Sequence, residues 1–121
     1  MSELTVESRD VGGVVLLYPK GFINAHTVRL FEGALQKAIS LKQFKIVVNC
    51  SGLSYIASAG LGALMGAIEE IRGSGGDLRL SSLNDTVRNI FEILGFNHLY
   101  QIYPSEMDAI LGFARDGGTG T

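Results

Sequence analysis

At the start of the chain Leu4, Val6 and Ser8 alternate with Thr5, Glu7 and Arg9, and a second apolar run, VVLLY at 14–18, follows after Gly12 and Gly13. A period of two marks a half-exposed strand, so the two segments predict a β-hairpin. Pro19 and Gly21 break the pattern, and from about Asn24 the period lengthens. Val28, Phe31, Leu35 and Ala38 recur at the spacing of one helix face. Residues 45–49, KIVVN, are short, β-branched and apolar at three consecutive positions, as a central strand covered on both faces should be.

Helical spacing returns at Leu61, Leu64, Met65, Ile68 and Ile71, with Gly73, Gly75 and Gly76 as stop signals. LRLSS at 78–82 predicts another strand. Val87, Ile90, Phe91 and Leu94 then form a stripe between Asn84 or Asp85 as cap and Gly95 as terminator. LYQIY before Pro104 predicts a last short strand, and Ser105 caps a closing helix through Met107, Ile110 and Leu111. Each strand from the second onward is expected to reach the next through a helix, and such crossovers require parallel neighbours. The expected fold is α/β, a mixed sheet of about five strands with about four helices, in one domain over residues 1–115. Residues 116–121, DGGTGT, have little to bury and read as a flexible C-terminal tail.

Composition narrows the function. The chain has 121 residues, the size of one domain, and 46% hydrophobic residues, enough for a core of its own. A net charge of −2 offers no electrostatic footprint for nucleic acid or an anionic membrane. The N-terminal segment reads as neither signal peptide nor membrane anchor, and a single cysteine, Cys50, fits a cytoplasmic protein and a small buried side chain.

Catalytic signatures are weak. His26, His98 and Cys50 are scattered without metal-ligand spacing, so neither metal nor other cofactor is expected. Ser58 stands at a strand-to-helix turn as a hydrolase nucleophile does, but the elbow motif needs glycine two positions before it, and position 56 is Ile. The phosphate-loop motif is absent, and Gly60-Leu61-Gly62 alone is a poor dinucleotide fingerprint.

Ser58 itself has two readings. As a helix N-cap its oxygen would accept a backbone N–H, worth about 0.5–2 kcal/mol over alanine. Its neighbours Ala57, Ala59, Gly60 and Gly62 are all small, which would also let another protein approach closely. A phosphoryl group there would sit where a helix favours anions. In the same way Asn24 reads as helix cap or contact residue, Asn49 as turn former or contact residue, Gly60 as close packing or docking, and Leu61 and Met65 as core or interface.

Three segments, GFINAHT at 21–27, IVVNCSGLSYIASAGLGAL at 46–64 and NDTVRNIFEILGFNHLYQIY at 84–103, resemble the STAS-domain family of anti-sigma factor antagonists, in order and over nearly the whole chain. The resemblance implies a non-catalytic module for partner switching. An anti-sigma factor with serine kinase activity binds the unphosphorylated antagonist, phosphorylates it at the start of the second helix, and a serine phosphatase reverses the modification. Aligning Gly60-Leu61-Gly62 puts the phosphoacceptor at Ser58, with Asn24, Asn49, Ala57, Ala59, Gly60 and Leu61 as partner-binding positions. Where the family usually has aspartate, this chain has Asn24, Asn49 and Ala57. Two alternatives stay open: a non-switching scaffold of the same fold for another regulatory protein, and a small nucleotide-binding α/β protein.

Overall fold

A computed structural model describes residues 3–119. The elements are β1 (Leu4–Val11), β2 (Val14–Ile23), α1 (Val28–Ser40), β3 (Lys45–Asn49), β4 (Leu53–Ile56), α2 (Ser58–Gly73), β5 (Asp77–Ser81), α3 (Asp85–Ile93), a 3-10 turn (Phe96–His98), β6 (Ile102–Tyr103) and α4 (Glu106–Thr119). β1 and β2 form the antiparallel hairpin, turning at Gly12 and Gly13, whose φ angles of 60° and 86° suit glycine. All other pairings are parallel, in the order β1-β2-β3-β5-β6 with β4 also on β2.

The sheet therefore has six strands rather than about five. β2 is ten residues long and outruns β3, which pairs with it at Val15–Leu17. β4 takes up the rest of that edge at Gly21–Ile23, after a short turn at residues 50–52. The link from β3 to β4 is thus no helix, which corrects the expected run of helical crossovers.

β3 lies mid-sheet as its composition predicts. On one face Ile46 and Val48, with Val15, Leu17, Leu78 and Leu80, pack under α1, α2 and α3 in the larger apolar core. On the other face Val14, Leu16 and Val47 lie under Ala109 and Phe113 of α4. Several of the terminators and caps expected from the sequence are in place. Gly75 and Gly95 have positive φ after α2 and α3, Asn84 Oδ1 accepts from the Val87 amide at 2.9 Å, and Ser105 Oγ accepts from the Asp108 amide at 3.2 Å.

α4 departs from its expected face. Ile110 packs against the smaller core as expected, but Met107 and Leu111 are exposed, and Ala109 and Phe113 are buried in their place. The buried Arg79 sets this orientation: its guanidinium lies 4.0 Å from the Phe113 ring centre, binds Asp77 Oδ2 at 3.0 Å and pairs with Asp116 of α4. Burial alone would lower the Arg79 pKa, but hydrogen bonds to Asp77 and Asp116 outweigh it and hold the charge. α4 runs to Thr119, past residue 115; residues 120–121 of the expected C-terminal tail lie outside the described residues.

Two glycines of the fold predict opposite outcomes. A Cβ on Gly76 would stand 1.8 Å from the Phe44 carbonyl oxygen, a backbone atom that cannot turn aside, whereas one on Gly62 in α2 meets nothing within 4 Å. Gly76→Ala should lower stability by about 3 kcal/mol. Gly62→Ala should raise it by about 0.5–1 kcal/mol through helix propensity. Urea denaturation of both variants checks this.

Candidate functional site

The parallel strands β2 and β4 end together, with Ile23 opposite Ile56. The Ala57 amide then donates to the Ile23 carbonyl at 2.8 Å, and the chain turns at once into α2. Gly60 makes this turn possible: a Cβ there would be 2.7 Å from both Ile23 Cγ2 and Ile56 Cγ1. The start of α2 thus rests on the ends of both strands.

The N-cap of α2 is Ala57, whose extended backbone has no side-chain oxygen to offer. Ser58 is the first helical residue, exposed, and makes no cap hydrogen bond. This corrects the N-cap reading of Ser58. The amides of Gly60 and Leu61 bond the Ala57 carbonyl at 2.9 and 3.2 Å. Among the described residues, those of Ser58 and Ala59 have no hydrogen-bond partner, and the first turn carries no acidic side chain. The result is a free hydroxyl beside unsatisfied N–H groups at the positive end of a helix.

Asn24 stands at the end of β2 beside this turn. Its Oδ1 accepts from the amides of His26 at 2.9 Å and Thr27 at 3.1 Å, while Thr27 Oγ1 accepts from the Asn24 amide and donates to the Phe22 carbonyl. Asn24 therefore closes a turn before α1 begins at Val28, and Thr27 occupies the helix N-cap position. Its Nδ2 has no partner among the described residues.

Ala57 and Ala59 flank Ser58, half-buried. Gly60 and Leu61 face inward, with Leu61 in the larger core, so they shape the surface from beneath and have little of their own to present. Met65 is exposed, not core.

Asn49 stands apart from this group. Val48 pairs with Leu17 and Ile56 with Ile23, so Asn49, one residue beyond Val48, lies five residues back along β2, roughly 17 Å at 3.3 Å per residue. Asn49 Oδ1 accepts from the Ser51 amide at 2.9 Å and its Nδ2 donates to Glu106 Oε1 at 3.0 Å, tying β3 to the start of α4. Tyr18 lies beside the same carboxylate, and burial together with Glu106 raises its phenol pKa. An aspartate at 49 could not donate to Glu106, so the fold itself accounts for asparagine there.

Two further side chains near Ser58 were not singled out from the sequence. β4 is only four residues long, with Leu53 and Ile56 buried and both Ser54 and Tyr55 exposed between them. The pairing with β2 slips here, from Gly21 opposite Leu53 to Phe22 opposite Tyr55, which turns two successive side chains outward. A pattern that breaks alternation over four residues gives periodicity nothing to detect.

Among the described residues, no group of three or more His, Cys, Asp or Glu side chains could hold a metal. Cys50 is wholly buried, and burial pushes its thiol pKa up to about 12, which keeps it protonated and inert.

The STAS domain family model matches residues 5–109, and the chain belongs to that family. It is 28% identical over 111 residues to BtrV of Bordetella bronchiseptica, provisionally named an anti-sigma factor antagonist, covering 92% of this chain and 94% of that protein. It is 26% identical over 99 residues to the anti-sigma-B factor antagonist of Listeria monocytogenes, covering 82% and 86%. Among solved structures it shares the fold of the anti-sigma factor antagonist SpoIIAA in its unphosphorylated form, with TM-score 0.78, 23% identity and coverage of 93% and 97%. The phosphorylated form of Bacillus SpoIIAA matches with TM-score 0.68, 23% identity and coverage of 88% and 96%.

Ser58→Ala should change stability by less than about 0.5 kcal/mol, while Ala57→Ser, which supplies the missing cap, should raise it by about 1 kcal/mol; thermal melts read both. Asn49→Asp, which sets a carboxylate against Glu106, should lower stability by about 1–3 kcal/mol at neutral pH. The repulsion raises the pKa of the facing carboxyls in the folded state, so the deficit should shrink as pH falls and they protonate. Urea midpoints measured at neutral and acid pH test that direction.

Proposed function

We propose that this chain is an anti-sigma factor antagonist that binds an anti-sigma factor serine kinase when unphosphorylated and is switched off by phosphorylation at Ser58. The observation that carries the reading is the exposed, uncapped Ser58 hydroxyl at the open N-terminus of α2. A hydroxyl engaged as a cap would be shielded by the amide it accepts from. This one is free to enter a kinase active site.

The same geometry supports both halves of a switch. The unbonded amides of Ser58 and Ala59 and the helix dipole favour a phosphate, so the modification leaves the domain folded. A partner seated over Ala57, Ser58 and Ala59 would instead have to bury the new dianion, at a cost of several kcal/mol, and each 1.4 kcal/mol is tenfold in affinity. Phosphorylation thus removes binding without removing structure, and a serine phosphatase restores it.

The missing carboxylates point to partner choice. Asn24 makes the turn that an aspartate oxygen would make, but without the charge, and Ala57 leaves the acceptor with no acidic neighbour before it. A partner arginine that reads such charges in relatives would find none here. In this reading the domain carries out no catalysis, acts in the cytoplasm, and engages neither nucleic acid nor membrane. Its net charge of −2 accords with that, and among the described residues no helix is long and apolar enough to cross a membrane.

The test mixes the protein with candidate anti-sigma kinases and ATP, followed by peptide mass spectrometry and binding titration. A single phosphate on Ser58, with Ser58→Glu binding at least about tenfold more weakly than the parent, is the expected result. Binding without phosphate transfer, unaffected by Ser58→Glu, would make the chain a non-switching scaffold.

A further inference from the structure

We propose that the free edge of β1 pairs with the same edge of a second copy of this chain, in an antiparallel two-fold contact centred on Ser8 that stands whether or not Ser58 is a switch.

β1 is the outermost strand and pairs on one side only, with β2. The phase of that pairing fixes which backbone groups are left over. The Phe22 amide donates to the Glu3 carbonyl at 3.4 Å, while the Gly21 amide, opposite Leu4, points the other way to the Gly52 carbonyl at 3.0 Å. Bonded and non-bonded pairs alternate from there along the register. Thr5, Glu7, Arg9 and Val11 therefore turn their amides and carbonyls to β2, and Val6, Ser8 and Asp10 turn theirs outward. Among the described residues nothing bonds those outward groups. Edges of this kind template pairing with another strand unless they are short, bulged or broken by proline or lysine. β1 is eight residues long, its register with β2 has no slip, and it contains neither proline nor lysine.

The charges on the edge say which strand fits it. Leu4 and Val6 pack on the larger core, so alternation puts Glu7 and Arg9 together on the other face, opposite Tyr18 and Leu16. Both are exposed, and neither forms an ion pair among the described residues; Arg9 has the Tyr18 phenol as its neighbour. In a pair of identical strands outward groups must meet outward groups, which puts the two-fold axis at a residue and not between two. With the axis at Glu7 or at Arg9, a charge would face its own copy. With the axis at Ser8, Glu7 of each copy stands opposite Arg9 of the other, and Thr5 opposite Val11. Those are non-bonded pairs, where facing side chains come closest, while Val6, Ser8 and Asp10 exchange backbone hydrogen bonds with Asp10, Ser8 and Val6 of the second copy.

α1 fits the same axis. Because β2 and β3 are parallel, α1 between them runs back against β2 and so along β1, packed on both strands. Gln43 Nε2 donates to Asp10 Oδ2 at 3.2 Å, which sets the end of α1 level with Asp10. Leu30 and Leu41 are 53% and 59% exposed, and both line the cleft between α1 and β1. They are separated by about 16 Å of helix, the length of about five strand residues, so Leu30 lies near the level of Thr5. A two-fold at Ser8 exchanges these two levels and brings Leu30 of one copy to Leu41 of the other. A helix seated over β1 and β2 lies about 5 Å from the axis, which leaves the two α1 helices about 10 Å apart, the distance of packed helices. The small Gly33 and Ala34 between the two leucines permit that approach.

The experiment is sedimentation velocity on the full chain from micromolar to millimolar concentration, with Glu7→Arg, Arg9→Glu and the double variant that carries both, and a thermal melt of each at the dilute end. The parent should dimerise as concentration rises. Each single variant should dimerise at least about tenfold more weakly at unchanged melting temperature, since like charges then meet twice by symmetry. The double variant, which restores opposite charges in the same register, should recover to within about threefold of the parent. Amide exchange of the parent, which needs no variant, should slow at Val6, Ser8 and Asp10 as concentration rises. A parent that stays monomeric throughout would overturn the proposal. A dimer indifferent to both single variants, with no protection of those amides, would place the contact on another surface and overturn it as well. Loss in the single variants without recovery in the double would overturn the register centred on Ser8.

Discussion

The packing of Gly60 against Ile23 and Ile56 is the constraint on which the site depends. Helix α2 can begin only one residue after β4 because its first turn has no Cβ where the ends of β2 and β4 come together. That close approach fixes the distance between strand ends and helix, and the Ala57 to Ile23 hydrogen bond fixes the angle. Ser58 and Asn24 are placed by the same joint. A side chain at position 60 would lift α2 off the strands and disperse them together, so the geometry of a surface is set by a contact wholly beneath it.

The opposite face of the sheet is held by different means. α4 covers Val14, Leu16 and Val47 with little more than Ala109 and Phe113, and polar clamps supplement this modest apolar contact. One joins Asn49 to Glu106 near its start; the other gathers Arg79, Asp77, Asp116 and Tyr103 around the Phe113 ring. A buried guanidinium is tolerable only while its carboxylates stay in place, since an unpaired charge there would cost several kcal/mol. The clamps therefore specify where α4 lies more than they add to its attachment. The first clamp also commits the Asn49 side chain to the scaffold, through Glu106 and the Ser51 amide.

The strands and helices most legible in the sequence were those whose burial is simple. β3 is covered on both faces and shows an unbroken apolar run; α3 is covered on one and shows a clear stripe between Asn84 and Gly95. β4 was not legible because its bulge breaks the alternation that reveals a strand. The buried face of α4 was misread because hydrophobicity favoured Met107 and Leu111, whereas the cation–π contact of Arg79 and the close approach of Gly112 to the Tyr103 hydroxyl select the other side. Such choices are made by partners distant in sequence, and no local pattern carries them. Ser58 was found as a position through its small neighbours and its family motif, but its freedom from capping depends on a one-residue difference in where the helix starts.

That one-residue difference decides what the serine can do. At the N-cap a serine oxygen is occupied by a backbone amide and contributes about 1 kcal/mol to the helix. Moved one position inward it contributes nothing there, and alanine at the cap forgoes the stabilisation that serine or aspartate would give. The helix end is left with unsatisfied amides, which water can solvate and an anion can fill. In the proposed switch the phosphate supplies that anion from the acceptor itself, so modification strengthens the end of α2 as it spoils the surface for a partner. An aspartate in place of Ala57 would both cap the helix and set a negative charge beside the incoming phosphate, weakening the first effect and changing what a kinase meets. The chain thus gives up a capping interaction and a charge at the same position, and both losses leave Ser58 the dominant chemical feature of an otherwise small and uncharged turn.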